Sequence, residues 1–326
     1  MKFETRLEMA VLLLIAALVG GWIGMRVASR SRKPPTPVLS IAPEPAAQPA
    51  EAAPTGTVVV PTVSESGASE TTGSPTTQPS ATTPGVSGND WERAMSLIGE
   101  GETFEARALL TRCLLAAAEG PERERIRQKL DELNAVLFFS RSPSPDCEFF
   151  TVQPGDTLAA LAKRCGKDYY YVGLIQRINN VDPARLRVGY SLKVPKGRFS
   201  ALVQKSAHRL IVLLDGHYIK EYSVGLGAPT SPTPEDTFRI VSKEVNPNWY
   251  APDGQVYKFG HPKNILGTRW IGFEAKGPYR SYGIHGTSDP SSIGKDVSNG
   301  CIRMLNSDVE ELFSMLMEGD EVKIVK

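Results

Sequence analysis

A cysteine and a histidine near the C-terminus have the residue types that acyl chemistry needs. Cys301 sits in Gly294-x-x-x-Ser298-Asn-Gly-Cys-Ile-Arg-Met304, and His285 in Tyr282-Gly-Ile-His-Gly-Thr287. A free thiol is mostly protonated at neutral pH, so a cysteine nucleophile needs a nearby base or cation, and histidine is the usual one. Cys301 is the only cysteine beyond Cys165, and His285 is the only histidine in a predicted strand that ends at glycine. Gly300, beside the thiol, allows consecutive backbone N–H groups to face one oxyanion. Against this stands a plainer account: a buried small hydrophobe for Cys301 and a hydrogen-bonded turn residue for His285. Residue type and spacing alone leave the two readings level. Zinc is disfavoured, because one cysteine and four histidines in this domain show no paired ligand spacing.

Such residues need a rigid frame, and from about Phe199 the chain reads as strands. Leu210 to Leu214, Asp215-Gly216 and His217 to Val224 form a hairpin signature, since Asp-Gly suits the positive-φ turn that matches strand twist. Further strands are predicted at Thr237 to Val241, Trp270 to Phe273, Ser281 to His285 and Glu321 to Val325. One helix is expected, Asp308 to Met317, opened by a Ser307-x-x-Glu310 capping box and closed by Gly319.

His285-Gly-Thr287 followed by Ser298-x-Gly-Cys-Ile-Arg-Met304 resembles the YkuD-type L,D-transpeptidase family, over residues 199–326. The resemblance implies a mostly-β catalytic domain with Cys301 as nucleophile, His285 as base and the Gly286 carbonyl orienting the imidazole. It implies an oxyanion hole from the N–H groups of Asn299, Gly300 and Cys301, with Arg303 holding the stem peptide or ordering the site and Tyr282 and Ser298 lining the pocket. The implied reaction is acyl transfer from the third residue of a peptidoglycan tetrapeptide stem, with loss of D-alanine, to a neighbouring amine, giving 3-3 cross-links. No cofactor or metal is called for, and a carbapenem is expected to form a thioester with Cys301. Two departures stand out. Asn299 replaces a histidine found in many members, and Thr233-Pro-Glu-Asp-Thr-Phe238 carries Asp236 where the family has glycine. Aspartate tolerates the left-handed region, so a slightly altered hairpin is expected there.

Upstream, 148–197 reads as strand, helix, helix, strand, with Pro154-Gly155-Asp156-Thr157 turning the chain and capping a helix. Val152-x-Pro-Gly-Asp-Thr-Leu158, Ile178-Asn-Asn180 and Leu186-x-Val-Gly-x-x-Leu-x-Val-Pro195 resemble a βααβ LysM module. That resemblance implies binding of N-acetylglucosamine-containing glycan, with Gly155, Asp156, Thr157, Leu158, Asn179 and Asn180 at the groove. Cys147 and Cys165 are expected to pair in an extracytoplasmic protein.

Residues 90–140 carry apolar residues at helix spacing, punctuated by Thr103 and Gly120-Pro121, and resemble one tetratricopeptide-like hairpin with an extra helix. A single such unit is expected to pack on its neighbour or bind a partner. Residues 34–89 are rich in Pro, Thr and Ser and lack lysine and arginine, so they read as a disordered tether. Met9 to Met25 is an uncharged apolar run, and residues 1–33 read as a membrane anchor rather than a signal peptide, because Arg26 and Arg30 occupy the place of a cleavage site. Arg26, Arg30, Arg32 and Lys33 after the run outnumber Lys2 and Arg6 before it, which by charge alone would hold the head in the cytoplasm. The wall substrate overrides that count, and an extracytoplasmic head is expected. Lysine plus arginine (37) nearly balances aspartate plus glutamate (36), so nothing points to nucleic acid. The multidomain whole is expected to act on peptidoglycan. The competing expectations are a non-enzymatic glycan-binding wall anchor, a cysteine peptidase, or the same fold working as a carboxypeptidase or protein-attachment enzyme.

Overall fold

The computed structural model describes residues 88–326. The expected membrane helix and most of the tether lie outside the described residues. Among those described, no helix is long and apolar enough to cross a membrane.

Three helices open the described chain: α1 (Gly88–Glu100), α2 (Thr103–Ala116) and α3 (Pro121–Leu137). The strand–helix–helix–strand module follows as β1 (Cys147–Thr151), α4 (Leu158–Arg164), α5 (Val172–Asn179) and β2 (Ser191–Pro195), with β1 and β2 antiparallel. Its first helix starts where expected, with Thr157 Oγ1 accepting from Ala160 N at 3.1 Å.

The remainder is mostly β. An eight-stranded sheet runs in the order β13-β11-β10-β7-β14-β3-β4-β5. Its members are β3 (Phe199–Gln204), β4 (Arg209–Leu214), β5 (His217–Ser223), β7 (Thr237–Val245), β10 (Arg269–Phe273), β11 (Gly283–His285), β13 (Ile302–Arg303) and β14 (Glu321–Val325). Short pairs join β6 (Leu226–Gly227) to β12 (Asp296–Ser298), and β8 (Trp249–Tyr250) to β9 (Val256–Tyr257). The β4–β5 turn has Asp215 at φ 46° and Gly216 at φ 81°, the geometry that Asp-Gly suits. Strand β4 is an unbroken apolar run because both of its faces are covered. Leu210, Val212 and Leu214 join the core shared with the LysM-like module, and Ile211 joins the core beneath α1–α3.

The helical region finds its partner within the chain. Asn134 Nδ2 donates to the carbonyls of Tyr218 (2.8 Å) and Ile219 (3.1 Å) on β5, and Tyr218 N donates to Thr111 Oγ1 at 3.1 Å. Backbone groups of the last strand of the sheet are thereby occupied, which removes a template for edge-to-edge pairing. Arg107, fully buried, holds Asn134 Oδ1 (3.1 Å) and Asp146 (2.6 Å).

Four expectations are corrected. Strand β7 runs four residues past Val241, where the predicted strand ends. A register shift opposite Gly272/Phe273 flips its alternation, so that Lys243 is buried and bonds Asp168 (3.0 Å) and the Leu316 carbonyl (2.6 Å). Helix α6 (Asn306–Met315) starts earlier than expected, and no side chain caps it; Ser307 Oγ instead meets Asp308 at 3.2 Å. Asp236 does not adopt a positive φ: its carboxylate accepts from Thr237 N (2.7 Å) and Lys276 Nζ (2.5 Å), which fixes the hairpin without a left-handed residue. Cys147 and Cys165 are separate free thiols, and burial pushes the Cys147 thiol up to about 12.

The LysM-like module is not an independent bead. Leu161, Leu174 and Ile175 share one core with Phe199, Leu312 and Phe313, and Tyr170 packs edge-on to Phe313 at 4.7 Å. Strand order sets the helices at the β5 end of the sheet and the His/Cys motifs at the β11–β13 end.

Candidate active site

His285 and the Cys301 segment meet because β11 and β13 pair in parallel, Ile284 with Ile302 and His285 with Arg303. His285, 2% exposed, has Nδ1 2.6 Å from the Gly286 carbonyl oxygen. A carbonyl only accepts, so Nδ1 carries the proton and Nε2 keeps its lone pair. The Trp270 ring stacks on the imidazole at 6.0 Å and 25°. Gly286 is small of necessity: a Cβ there would strike Asn306 Oδ1. That amide ties the adjoining loops together, accepting from Thr268 N (3.2 Å) and donating to the Thr287 carbonyl (3.1 Å).

The Cys301 segment is held by its own serine. Ser298 Oγ donates to the Cys301 carbonyl at 2.6 Å and accepts from Gly300 N at 3.1 Å. Gly300 sits at φ 105°, and a Cβ would run into the Tyr282 ring, so both backbone and packing require glycine. Of the three N–H groups expected to face an oxyanion, that of Gly300 is therefore engaged by Ser298. Those of Asn299 and Cys301 make no hydrogen bond within the described residues.

Cys301 Sγ lies 3.8 Å from the Ser281 carbonyl. Burial pushes the thiol up to about 11, with the Gly283 N–H and the Arg303 guanidinium pulling it partly back. Burial likewise drives His285 down to about 4, assisted by Arg303 and opposed by the Gly286 carbonyl. Desolvation thus favours the uncharged form of both the thiol and the imidazole.

Cys301, His285, Tyr282, Ser298, Asn299 and Arg303 line one cleft of about 530 Å³. Pro247, Asn248, Trp249, Tyr250 and Pro252, from the 247–252 segment, line one side of it. Arg303 makes no ion pair among the described residues, and its buried Nε lacks a partner. The cleft therefore holds a cation free to meet an anionic group.

At the LysM-like module the six expected residues separate. Gly155 and Asn180 are exposed at left-handed turns, with φ of 84° and 47°. Asp156 is paired with Arg164 at 3.1 Å. Thr157 is spent as a cap and Leu158 is buried in the core. Asn179 is also buried, its amide bonding the Ile175 and Lys193 carbonyls and Lys193 N, so its side chain is unavailable to a glycan. The structure leaves Gly155, Thr157 and Asn180 exposed and Asp156 half-buried, and places Leu158 and Asn179 in the core.

A family model for the L,D-transpeptidase catalytic domain matches residues 198–324, and one for the LysM domain matches residues 150–195. The chain is 44% identical over 124 residues to "Putative L,D-transpeptidase YqjB" of Bacillus subtilis, an overlap of 38% of this chain and 69% of that protein. It is 32% identical over 186 residues to "Putative L,D-transpeptidase YkuD" of Bacillus licheniformis, covering 54% of this chain and 97% of that one. The chain belongs to the YkuD L,D-transpeptidase family. It is a peptidoglycan L,D-transpeptidase, and its LysM and catalytic domains together indicate peptidoglycan binding.

In this L,D-transpeptidase, sequence reasoning missed the site roles of Trp270, Glu244 and the 247–252 wall. For Trp270 a signal was present. Gly272 and Gly283 face each other across β10 and β11, and a Cβ on either would strike the indole. Facing glycines beside a tryptophan in predicted strands mark a ring laid flat on a sheet.

Proposed function

We propose that Cys301 attacks the carbonyl of the third residue of a tetrapeptide stem while His285 Nε2 takes the thiol proton. The Sγ–C bond forms, the peptide C–N bond breaks, and D-alanine departs with the proton returned by His285. An amine of a neighbouring stem then attacks the thioester, giving up a proton through His285 to the departing sulfur, and a 3-3 cross-link results. The N–H groups of Cys301 and Asn299 stabilise the oxyanion, Arg303 meets an anionic part of the stem, and Tyr282 and Ser298 shape the loop. One observation carries this reading: the Nδ1 contact to Gly286 leaves Nε2 unprotonated in the cleft that Cys301 lines.

Neutral resting groups suit the chemistry, because proton transfer is deferred until substrate has displaced water. The same thioester yields a carboxypeptidase if water is the acceptor, and a wall-attachment enzyme if a protein amine is. Residues 1–33 act as a membrane anchor and 34–89 as a tether that holds the head outside the cytoplasm; the wall substrate and the apolar run Met9 to Met25 support this. Incubation with a disaccharide tetrapeptide, read by mass spectrometry, tests the reaction. Cross-linked dimer and free D-alanine are expected, and Cys301→Ala abolishes both. Full activity in that variant, or an acyl adduct on another residue, refutes the mechanism.

A further inference from the structure

The register of the sheet places four side chains of the cleft in one row. Glu244 on β7 pairs with Trp270 on β10, Trp270 with His285 on β11, and His285 with Arg303 on β13, and all four line the cleft. The row gives the cleft a polarity, with a carboxylate at one end, the imidazole within and a guanidinium at the other. Glu244 is exposed and has no ion-pair partner among the described residues. The cations next to this row along its strands are engaged elsewhere: Lys243 with Asp168 (3.0 Å), and Arg269 near Glu310 (3.7 Å) and on the Thr268 carbonyl (2.7 Å). A lone carboxylate in a cleft whose far end is cationic is a receptor for a substrate cation.

The acyl-transfer reading, on which this inference rests, fixes which cation that is. A 3-3 cross-link is made through a side-chain amine of the third stem residue, so a donor stem carries the same amine on the residue whose carbonyl is attacked. At two strand spacings, Glu244 stands about 10 Å from His285 along the row. An acceptor amine in the act of attacking must touch the carbonyl held at Cys301 and cannot also lie two strands away. An ammonium at the end of the donor's own side chain has the reach. We propose that Glu244 is the specificity residue that holds the side-chain ammonium of the third residue of the donor stem, with Trp270 as the floor beneath the chain between them.

The test compares wild type and Glu244→Gln, full chain, on tetrapeptide donors with lysine or norleucine at the third position, with D-alanine release and acyl-enzyme mass as readouts. Wild type is expected to favour the lysine donor. Glu244→Gln is expected to lower kcat/KM for that donor about tenfold and to leave the norleucine donor unchanged, so that discrimination is lost. Equal losses on both donors make Glu244 structural, no change on either makes it a solvated bystander, and a raised KM for the acceptor amine alone moves it to the acceptor; each overturns the proposal. If wild type releases D-alanine from neither donor, the acyl-transfer reading fails and takes this inference with it. Release without the expected discrimination removes Glu244 alone.

Discussion

Ser298 Oγ holds the carbonyl of Cys301 at 2.6 Å, so the backbone that carries the thiol is set by a hydroxyl three residues before it. The same oxygen takes the Gly300 N–H at 3.1 Å, which closes a small ring around the residues that precede the thiol. Ser298→Ala breaks both bonds in a buried place and is expected to cost about 1–2 kcal/mol of stability. It is expected to slow acylation far more than it weakens substrate binding, because the Cys301 N–H loses its aim. Burst kinetics with a carbapenem, recording the acylation rate and the unfolding midpoint together, check this.

The thiol of the free enzyme, raised to about 11 by burial, is expected to behave as a thiol and not as part of an ion pair. Its alkylation by iodoacetamide should climb with pH throughout the neutral range, since the thiolate fraction grows about tenfold per unit below the pKa. A flat rate between acid and neutral pH would show a preformed thiolate–imidazolium pair.

His285 makes stability depend on pH in the acid range. Its folded value of about 4 lies below the ordinary 6.5, so between these limits the unfolded chain takes up a proton that the fold refuses. The unfolded state binds more protons there, and stability is lost as pH falls from 6.5 towards 4, by up to roughly 3 kcal/mol. Urea unfolding at several pH values should show a steeper acid loss in wild type than in His285→Gln. Equal slopes would mean that the imidazole is hydrated.

Arg107 and Asp146 form a pair with both side chains buried (0% and 5% exposed, 2.6 Å apart). Arg107→Ala leaves the carboxylate without its cation inside the helix–sheet junction and is expected to destabilise by about 3–5 kcal/mol. Arg107 stands at the β5 end of the sheet, so the fraction that remains folded should keep its turnover number, measured against active-site titration.

The LysM module is expected to hold the full chain on purified sacculi after Cys301→Ala, since glycan contacts and the thiol belong to separate surfaces. Residues 147–197 alone are expected to be unstable, because α5 and Tyr170 would lose the apolar cover that Phe313 and Leu312 supply. Sedimentation of the Cys301→Ala protein with sacculi, and circular dichroism of the fragment, decide these points.

Much was determined by local sequence. The Asp215-Gly216 turn needs φ values that few other dipeptides adopt, Thr157 caps a helix through its own hydroxyl, and the His285 and Cys301 motifs stand out by their resemblance to the family, where residue type and spacing alone left a plain structural role equally open. Tertiary structure decided the rest, for reasons of register and burial that no local pattern carries. Strand β7 hides its end because a bulge turns Lys243 inward to partners far away in the chain, at Asp168 and Leu316. Asn179 has the look of a groove residue and is instead consumed by Lys193, fourteen residues on. Desolvation favours the uncharged form of both groups, and Glu244 shares their cleft only through pairings across four strands. Charge state and juxtaposition depend on what surrounds an atom in space, and the order of residues along the chain does not specify that by itself.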